Sequence, residues 1–347
     1  MRKIFVPIVC SLMMLMTACG GSSSTTQPAE PAKPAESTAA PAAGNAEKKT
    51  VKIGITQIVE HPSLDAAREG FLAGLKDGGY VEGENLKVDI QIAQGDMNNN
   101  TTIAQKFAAD KVDLILAIAT PSAQAAAQAT SDIPIFFTAI TDPLGAKLVG
   151  SLEQPGKNVT GTSDTHPEAI PNTVKTIKEF FPDAKNVGVI YNSGEQNSVV
   201  NVENAKKVMQ EQGLTAVEAT ASNSSEVKQA VESLVGRVDV IYVPKDNTAV
   251  SALESVTQVA NQNKIPMFVG EMDSVKRGGF AGFGFEYYDL GYTTAKMAME
   301  VLDGSKKPAD IPVGFPEELN LVINKKAAEA QGVTLTEAMT SKAVMVE

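Results

Sequence analysis

Val112-Asp113-Leu114-Ile115-Leu116-Ala117-Ile118-Ala119 runs straight into Thr120-Pro121-Ser122 and an alanine-rich stretch. A run this apolar, with one charge near its start, leaves no polar face, which is the pattern of a parallel strand covered on both sides. The alanine-rich stretch from Ser122 predicts a helix, and Ile133-Pro134-Ile135-Phe136-Phe137 predicts the next strand. Working back, Thr101 to Asp110 reads as a helix and Leu86 to Ile92 as a strand of period two. Before these come a helix over Leu64 to Lys76, with Leu64, Ala67, Phe71 and Leu75 at helical spacing, and the strand Val51 to Ile55. Strands alternating with helices in this way imply a doubly wound α/β sheet.

The series then begins again. Strands are expected at Asn186 to Tyr191, Leu214 to Ala219, Val238 to Val243 and Ile265 to Val269, and helices at Asn197 to Gln212, Ser224 to Val235 and Thr248 to Asn261. Ile133 and Ile265 each open an Ile-Pro-(Ile/Met)-Phe strand at the same place in its series, so the halves read as two copies of one architecture. Beyond them lie a Gly/Phe-rich strand from Gly278 to Phe285, a helix from about Asp289 to Leu302, Pro308 to Pro316, and Leu319 to Asn324. These are too few for a third domain. The expectation is two Rossmann-like lobes with parallel sheets, joined by crossovers near Gly161 to His166, Phe283 to Glu286 and Ile311 to Phe315. One lobe comprises 50–163 plus 286–312 and the other 164–285 plus 313–347.

The first 49 residues are of a different kind. Arg2 and Lys3 precede an apolar run from Ile4 to Met16, and small residues lead to Cys19, the layout of a secretory signal too short to span a membrane as a helix. The Leu15-Met16-Thr17-Ala18-Cys19 ending resembles a bacterial lipobox, which implies lipidation at Cys19 and an extracytoplasmic, membrane-anchored protein. An ordinary cleaved signal is the competing reading. Residues 20–49 hold no aromatic residue and no aliphatic one larger than alanine, so a disordered tether is expected there.

Net charge is −11, and loss of Arg2 and Lys3 would leave 28 Lys+Arg against 41 Asp+Glu, a net −13. That balance argues against nucleic acid and an anionic lipid surface as partners. The only other cysteine, Cys10, lies in the signal, so no disulfide braces the body. No G-x-S-x-G elbow, P-loop or H-E-x-x-H occurs, and two histidines make a zinc cage improbable. No enzyme, metal or cofactor is expected.

Ligands of doubly wound sheets sit beyond the carboxyl ends of the strands. The residues there are Gln57, His61, Thr120, Ser122, Thr141 and Asp142 in the first series, and Asn192, Glu195, Asn197, Asp246, Asn247 and Glu271 in the second. Donors on one lobe and acids on the other suit a zwitterion, with its carboxylate at the first lobe and its ammonium at the second. Helix capping is the competing role for these residues singly. Phe136, Phe137, Phe268, Phe285 and Tyr287 are candidates for an apolar wall, with the lobe cores as the alternative.

The chain also resembles a known family, on His61-Pro62-Ser63-Leu64-Asp65 with Gly70-Phe71, Ala119-Thr120-Pro121-Ser122-Ala123 and Thr141-Asp142-Pro143. Tyr191 to Ser198, Asp246-Asn247, Glu286 to Gly291, Leu302-Asp303-Gly304 and Ile311-Pro312 extend the likeness. In order and spacing these are similar to ABC-transporter substrate-binding proteins of periplasmic-binding-protein type I fold, including those for tryptophan and tyrosine uptake. The resemblance spans about Thr50 to Val333. It implies a monomeric carrier that closes two lobes over an amino acid, aromatic by the likeness, and delivers it to a membrane permease. A lipoprotein sensor signalling to a membrane partner, or a carrier of a purine, sugar or other small solute, is the alternative.

Overall fold

The computed structural model describes residues 50–347. The expected signal, lipidated cysteine and tether lie outside them. Within the described residues the chain builds two lobes, each with its own sheet.

The first lobe starts with β1 (Val51–Gln57), α1 (Pro62–Asp77), β2 (Leu86–Ile92), α2 (Met97–Ala109), β3 (Leu114–Ile118), α3 (Thr120–Ala129), β4 (Ile135–Ile140) and β5 (Val159–Ser163). The strands lie in the order β2-β1-β3-β4-β5, all parallel. β3, the run that opened the reading, is central and buried at every position. β5 carries no strand signal: Val-Thr-Gly-Thr-Ser is small and hydroxylated. It pairs with β4 because Gly161 lets the two backbones meet; a Cβ there would lie 1.9 Å from the Phe137 oxygen.

The chain then enters the second lobe: α4 (Ala169–Phe180), β6 (Asn186–Tyr191), α5 (Gln196–Glu211), β7 (Thr215–Thr220), α6 (Val227–Glu232), β8 (Val240–Val243), α7 (Asn247–Ser251), α8 (Leu253–Asn263), β9 (Met267–Val269), α9 (Met272–Lys276) and β10 (Ala281–Gly284). It returns to the first lobe as α10 (Tyr287–Leu302), which packs along α1, and passes back for β11 (Asn320–Asn324), α11 (Lys325–Ala330), α12 (Glu337–Thr340) and β12 (Val344–Val346). Segments 164–168, 285–286 and 315–319 connect the lobes.

Four expectations need correction. The crossing expected at Ile311 to Phe315 starts later, because Gly314 still pairs with Thr162 of β5 and the Ile311 carbonyl accepts from Thr160 Oγ1 at 2.8 Å. The second sheet, ordered β12-β11-β10-β9-β8-β6-β7, is not wholly parallel, because β11 runs antiparallel to β10. The third crossing delivers the chain to that edge from the opposite direction. The helix expected from Ser224 starts as a three-residue 3₁₀ turn capped by Asn223. The helix expected over Thr248 to Asn261 breaks at Ala252, where the Arg277 guanidinium takes the Val250 carbonyl at 2.9 Å and pairs with Glu254 at 2.8 Å. The broken helix leaves α7 as a short turn aimed into the cleft.

Candidate ligand-binding site

The carboxyl ends of both sheets meet, and the lobes touch directly. Ser63 Oγ, in the first turn of α1, donates to Glu271 Oε2 at 2.7 Å. Asn201 Nδ2 on α5 donates to Thr141 Oγ1 at 3.2 Å. Lys245 Nζ, just past β8, donates to the Asp164 carbonyl at the first crossing. These contacts enclose a polar interior.

Helix amino ends point into it. α1, α3 and α5 are preceded by His61, Ala119 and Glu195, and none of these caps its helix through a side chain. Uncapped ends leave amide donors and the positive end of the helix dipole for an anion. His61, Thr120 and Asn197 stand at these ends, no more than 4% exposed, yet His61 Nδ1, Thr120 Oγ1 and Asn197 Oδ1 have no partner. Burying a polar atom unpaired costs roughly 1–3 kcal/mol, so each of the three is a candidate for a ligand partner. Burial first, and the Arg277 charge second, lower the His61 ring to about 4, so it is neutral at pH 7. Beside these residues a cavity of about 420 Å³ runs between Ile58, Val59 and Pro121 of one lobe and Asn192, Glu195 and Asn247 of the other. That size lies within the about 300–1,000 Å³ of small-molecule sites.

Several candidates are brought to the cleft as supports. The Glu195 carboxylate accepts from Asn247 Nδ2, from Thr248 N and Oγ1, and from Asn197 Nδ2 at 3.2 Å, which fixes the α5 and α7 ends together. Asp246 caps α7 through Ala249 N and takes Asn192 N at 2.7 Å; burial first and Glu195 second push its carboxyl up. Asn192 folds its own loop, donating to Thr248 Oγ1 and accepting from Gly194 N. Gln57 Nε2 holds Val59 O and Asp65 Oδ1, bracing the loop that carries His61. Ser122 Oγ donates to Asn100 Oδ1 at 3.1 Å. Asp142 caps the turn at Gly145 N. Capping and loop bracing therefore occupy Gln57, Ser122, Asp142, Asn192, Glu195 and Asp246, whereas His61, Thr120 and Asn197 keep free atoms.

At the second end of the cleft the sequence reading named Thr141, Glu271, Phe285 and Tyr287 but missed Asp164 and Lys245. Asp164 Oδ2 accepts from Tyr287 OH at 2.8 Å and Oδ1 from Thr141 Oγ1 at 3.2 Å. Lys245 Nζ lies 3.9 Å from Asp164 Oδ2 and 4.8 Å from the centre of the Phe285 ring, which stacks on Tyr287. Glu271 accepts from Ser274 Oγ as well as Ser63, and burial pushes its carboxyl up to about 7. Lys245 could have been found from its place just past a strand end; Asp164 could not, because β5 itself gave no signal. Of the five aromatics, Phe136, Phe137 and Phe268 lie in the lobe cores, and Phe285 and Tyr287 reach the cleft. Among the described residues no group of three or more His, Cys, Asp or Glu is arranged to hold a metal ion, and no helix is long and apolar enough to cross a membrane.

Residues 52–347 match the family of ABC transporter substrate-binding proteins. A tyrosine-binding protein of Clostridioides difficile (strain R20291) is 50% identical over 283 residues, 82% of this chain and 81% of that one. A Streptococcus pneumonia ABC domain solved in complex with L-Trp is 38% identical, with a TM-score of 0.81 over 86% of this chain and 100% of that one. A ligand-free, open substrate-binding protein with adhesive properties from Clostridium difficile is more similar in sequence, at 44%, but less so in shape, with a TM-score of 0.63 over 86% and 99%. That inversion agrees with the direct contacts between lobes here: this structure is the closed form. The chain has a periplasmic-binding-protein fold, and it belongs to the ABC transporter substrate-binding proteins, a non-enzymatic, extracytoplasmic family.

Proposed function

We propose that the protein captures a free aromatic amino acid, tyrosine or tryptophan, between its lobes and passes it to a membrane permease. The observation that carries this reading is the set of buried, unpartnered atoms on His61, Thr120 and Asn197 at three uncapped helix ends. Uncapped amide donors and the Thr120 hydroxyl suit the ligand carboxylate. Asp164 and Glu271 at the opposite end suit its ammonium, and the cavity beside Ile58 and Val59 leaves room for a ring. The tyrosine-binding and L-Trp-bound relatives support the choice of ring. In this reading Gln57, Ser122, Thr141, Asp142, Asn192, Glu195, Asp246 and Asn247 hold the pocket walls in place. Cys19 is the lipidated end, residues 20–49 are its tether, and the protein works as a monomer.

A thermal-shift screen of the twenty amino acids, purines and sugars tests the ligand. A binder at 100 times its Kd adds about 2.7 kcal/mol of stability. The chain has no tryptophan, so bound tryptophan would dominate emission excited near 295 nm. Stabilisation by a sugar or nucleoside and by no amino acid overturns the reading.

A further inference from the structure

We propose that Lys245 is a resident cation of the cleft: its ammonium occupies the place that a ligand's ammonium takes, and capture of an amino acid displaces it. This rests on the amino-acid reading above.

Lys245 reaches from the second lobe to both connecting segments at once. Its Nζ donates to the Asp164 carbonyl, faces Asp164 Oδ2 at 3.9 Å, and lies 4.8 Å from the centre of the Phe285 ring. A carbonyl, a carboxylate and an aromatic face are together the set that recognises a primary ammonium. The subsite is held rigid: Tyr287 OH and Thr141 Oγ1 fix the two Asp164 oxygens, and Tyr287 stacks on Phe285 at 5.4 Å between centres. A rigid frame around a flexible occupant is the arrangement expected of a replaceable group.

The hold on Lys245 is incomplete. An ammonium has three donors; here one meets a carbonyl, and the carboxylate lies beyond hydrogen-bonding distance. The side chain is 9% exposed and borders a cavity of about 270 Å³ shared with Thr141 and Asn201. Gly270 leaves its stem space, since a Cβ there would lie 3.1 Å from Lys245 Cγ. Glu271, whose carboxylate already feels the Lys245 charge, is an acceptor for the displaced ammonium. A ligand ammonium arriving at Asp164 thus trades one cation for another and leaves no carboxylate unpaired.

The competing role, in which Lys245 pairs with the ligand carboxylate, makes the opposite forecast. Calorimetric titration of the whole chain with L-tyrosine and with its deaminated analogue, 3-(4-hydroxyphenyl)propanoate, separates the two. Lys245→Met should bind tyrosine about tenfold more tightly, because no occupant has to leave. It should bind the deaminated acid about tenfold more weakly, because the wild-type lysine stays in place and supplies the missing cation. A loss of packing alone would not move the two ligands in opposite directions. Unchanged or weakened tyrosine binding by the variant overturns the inference while leaving the amino-acid reading intact. Wild-type protein that binds no amino acid overturns both. If Lys245→Met does not fold, Lys245→Gln is titrated in its place. The wild type alone also decides: a loss beyond roughly a hundredfold on removing the ligand's ammonium shows that Lys245 does not substitute for it.

Discussion

Ser63 and Glu271 stand 208 positions apart, and the hydroxyl of one donates to the carboxylate of the other at 2.7 Å, tying α1 of the first lobe to the end of β9 in the second. The bond spans the two lobes, and Glu271 is 4% exposed. Its burial between the lobes and its readiness to hold a proton go together.

The pH dependence follows. Burial raises Glu271 from an ordinary value near 4.5 to about 7, so the closed fold binds a proton that the unfolded chain releases. That contribution is complete below about 4.5 and is lost as pH rises through about 7. His61 works in the other direction: lowered to about 4, it contributes stability above 6.5 that is lost as pH falls towards 4. Glu271→Gln removes only the first effect. Between about pH 5 and 7 the variant should gain on the wild type as pH rises, by up to about 1.4 kcal/mol per unit. Thermal melts across that range check this, and parallel curves would exclude Glu271 as the linked group.

Thr120→Val separates binding from stability. The Oγ1 atom is buried without a partner, so replacing the hydroxyl with a methyl group removes an unsatisfied group. The empty protein should be as stable as the wild type or more so, while ligand affinity falls about tenfold, the worth of one hydrogen bond to a charged group. Denaturant melts and calorimetry on the same sample test the pair of effects. A variant that loses stability and keeps its affinity would place Thr120 outside the site.

Glu195→Gln should lose both properties. Its carboxylate collects donors from Asn197, Asn247 and Thr248, and an amide in its place sets one NH₂ against them. Bonds to a charged group are worth about 1.5–3 kcal/mol each, so a drop of about 2–4 kcal/mol in unfolding free energy is expected. Weaker ligand binding should accompany it, as the α5 and α7 ends drift apart. Unfolding curves that match the wild type would contradict this organising role.

Gly291→Ala should cost stability although alanine is the better helix former. α10 crosses α1 so closely that a Cβ at 291 would lie 1.8 Å from the Ala67 oxygen, and one at Gly70 would lie 1.9 Å from the Tyr288 oxygen. The gain of about 1 kcal/mol in helix propensity is outweighed by overpacking of about 1–3 kcal/mol or more, because backbone cannot step aside as a side chain can. A melting temperature at or above that of the wild type would refute the close crossing.

Local pattern was enough for the elements. The apolar run at Leu114 to Ile118, the period of two at Leu86 to Ile92 and the helical spacing over α1 are each written in consecutive residues, because a strand or helix is chosen by which face it must bury. The same logic placed candidate residues at strand ends, since topology forces loops there to face the cleft. The chemistry of each side chain was not legible. Ser122 and Thr120 are two residues apart on one helix end, yet one is spent on Asn100 and the other is left free. That division depends on a residue 22 positions away. β5 escaped notice because Gly161, not apolar patterning, makes its pairing possible. Asp164, Lys245 and Phe285 come together only where two connecting segments pass the end of β8. Sequence determined which segments are strands and helices and which ends carry polar groups, because those follow from neighbours along the chain. The tertiary structure alone decided which of these groups remain unpartnered, because a partner is a matter of distance in space.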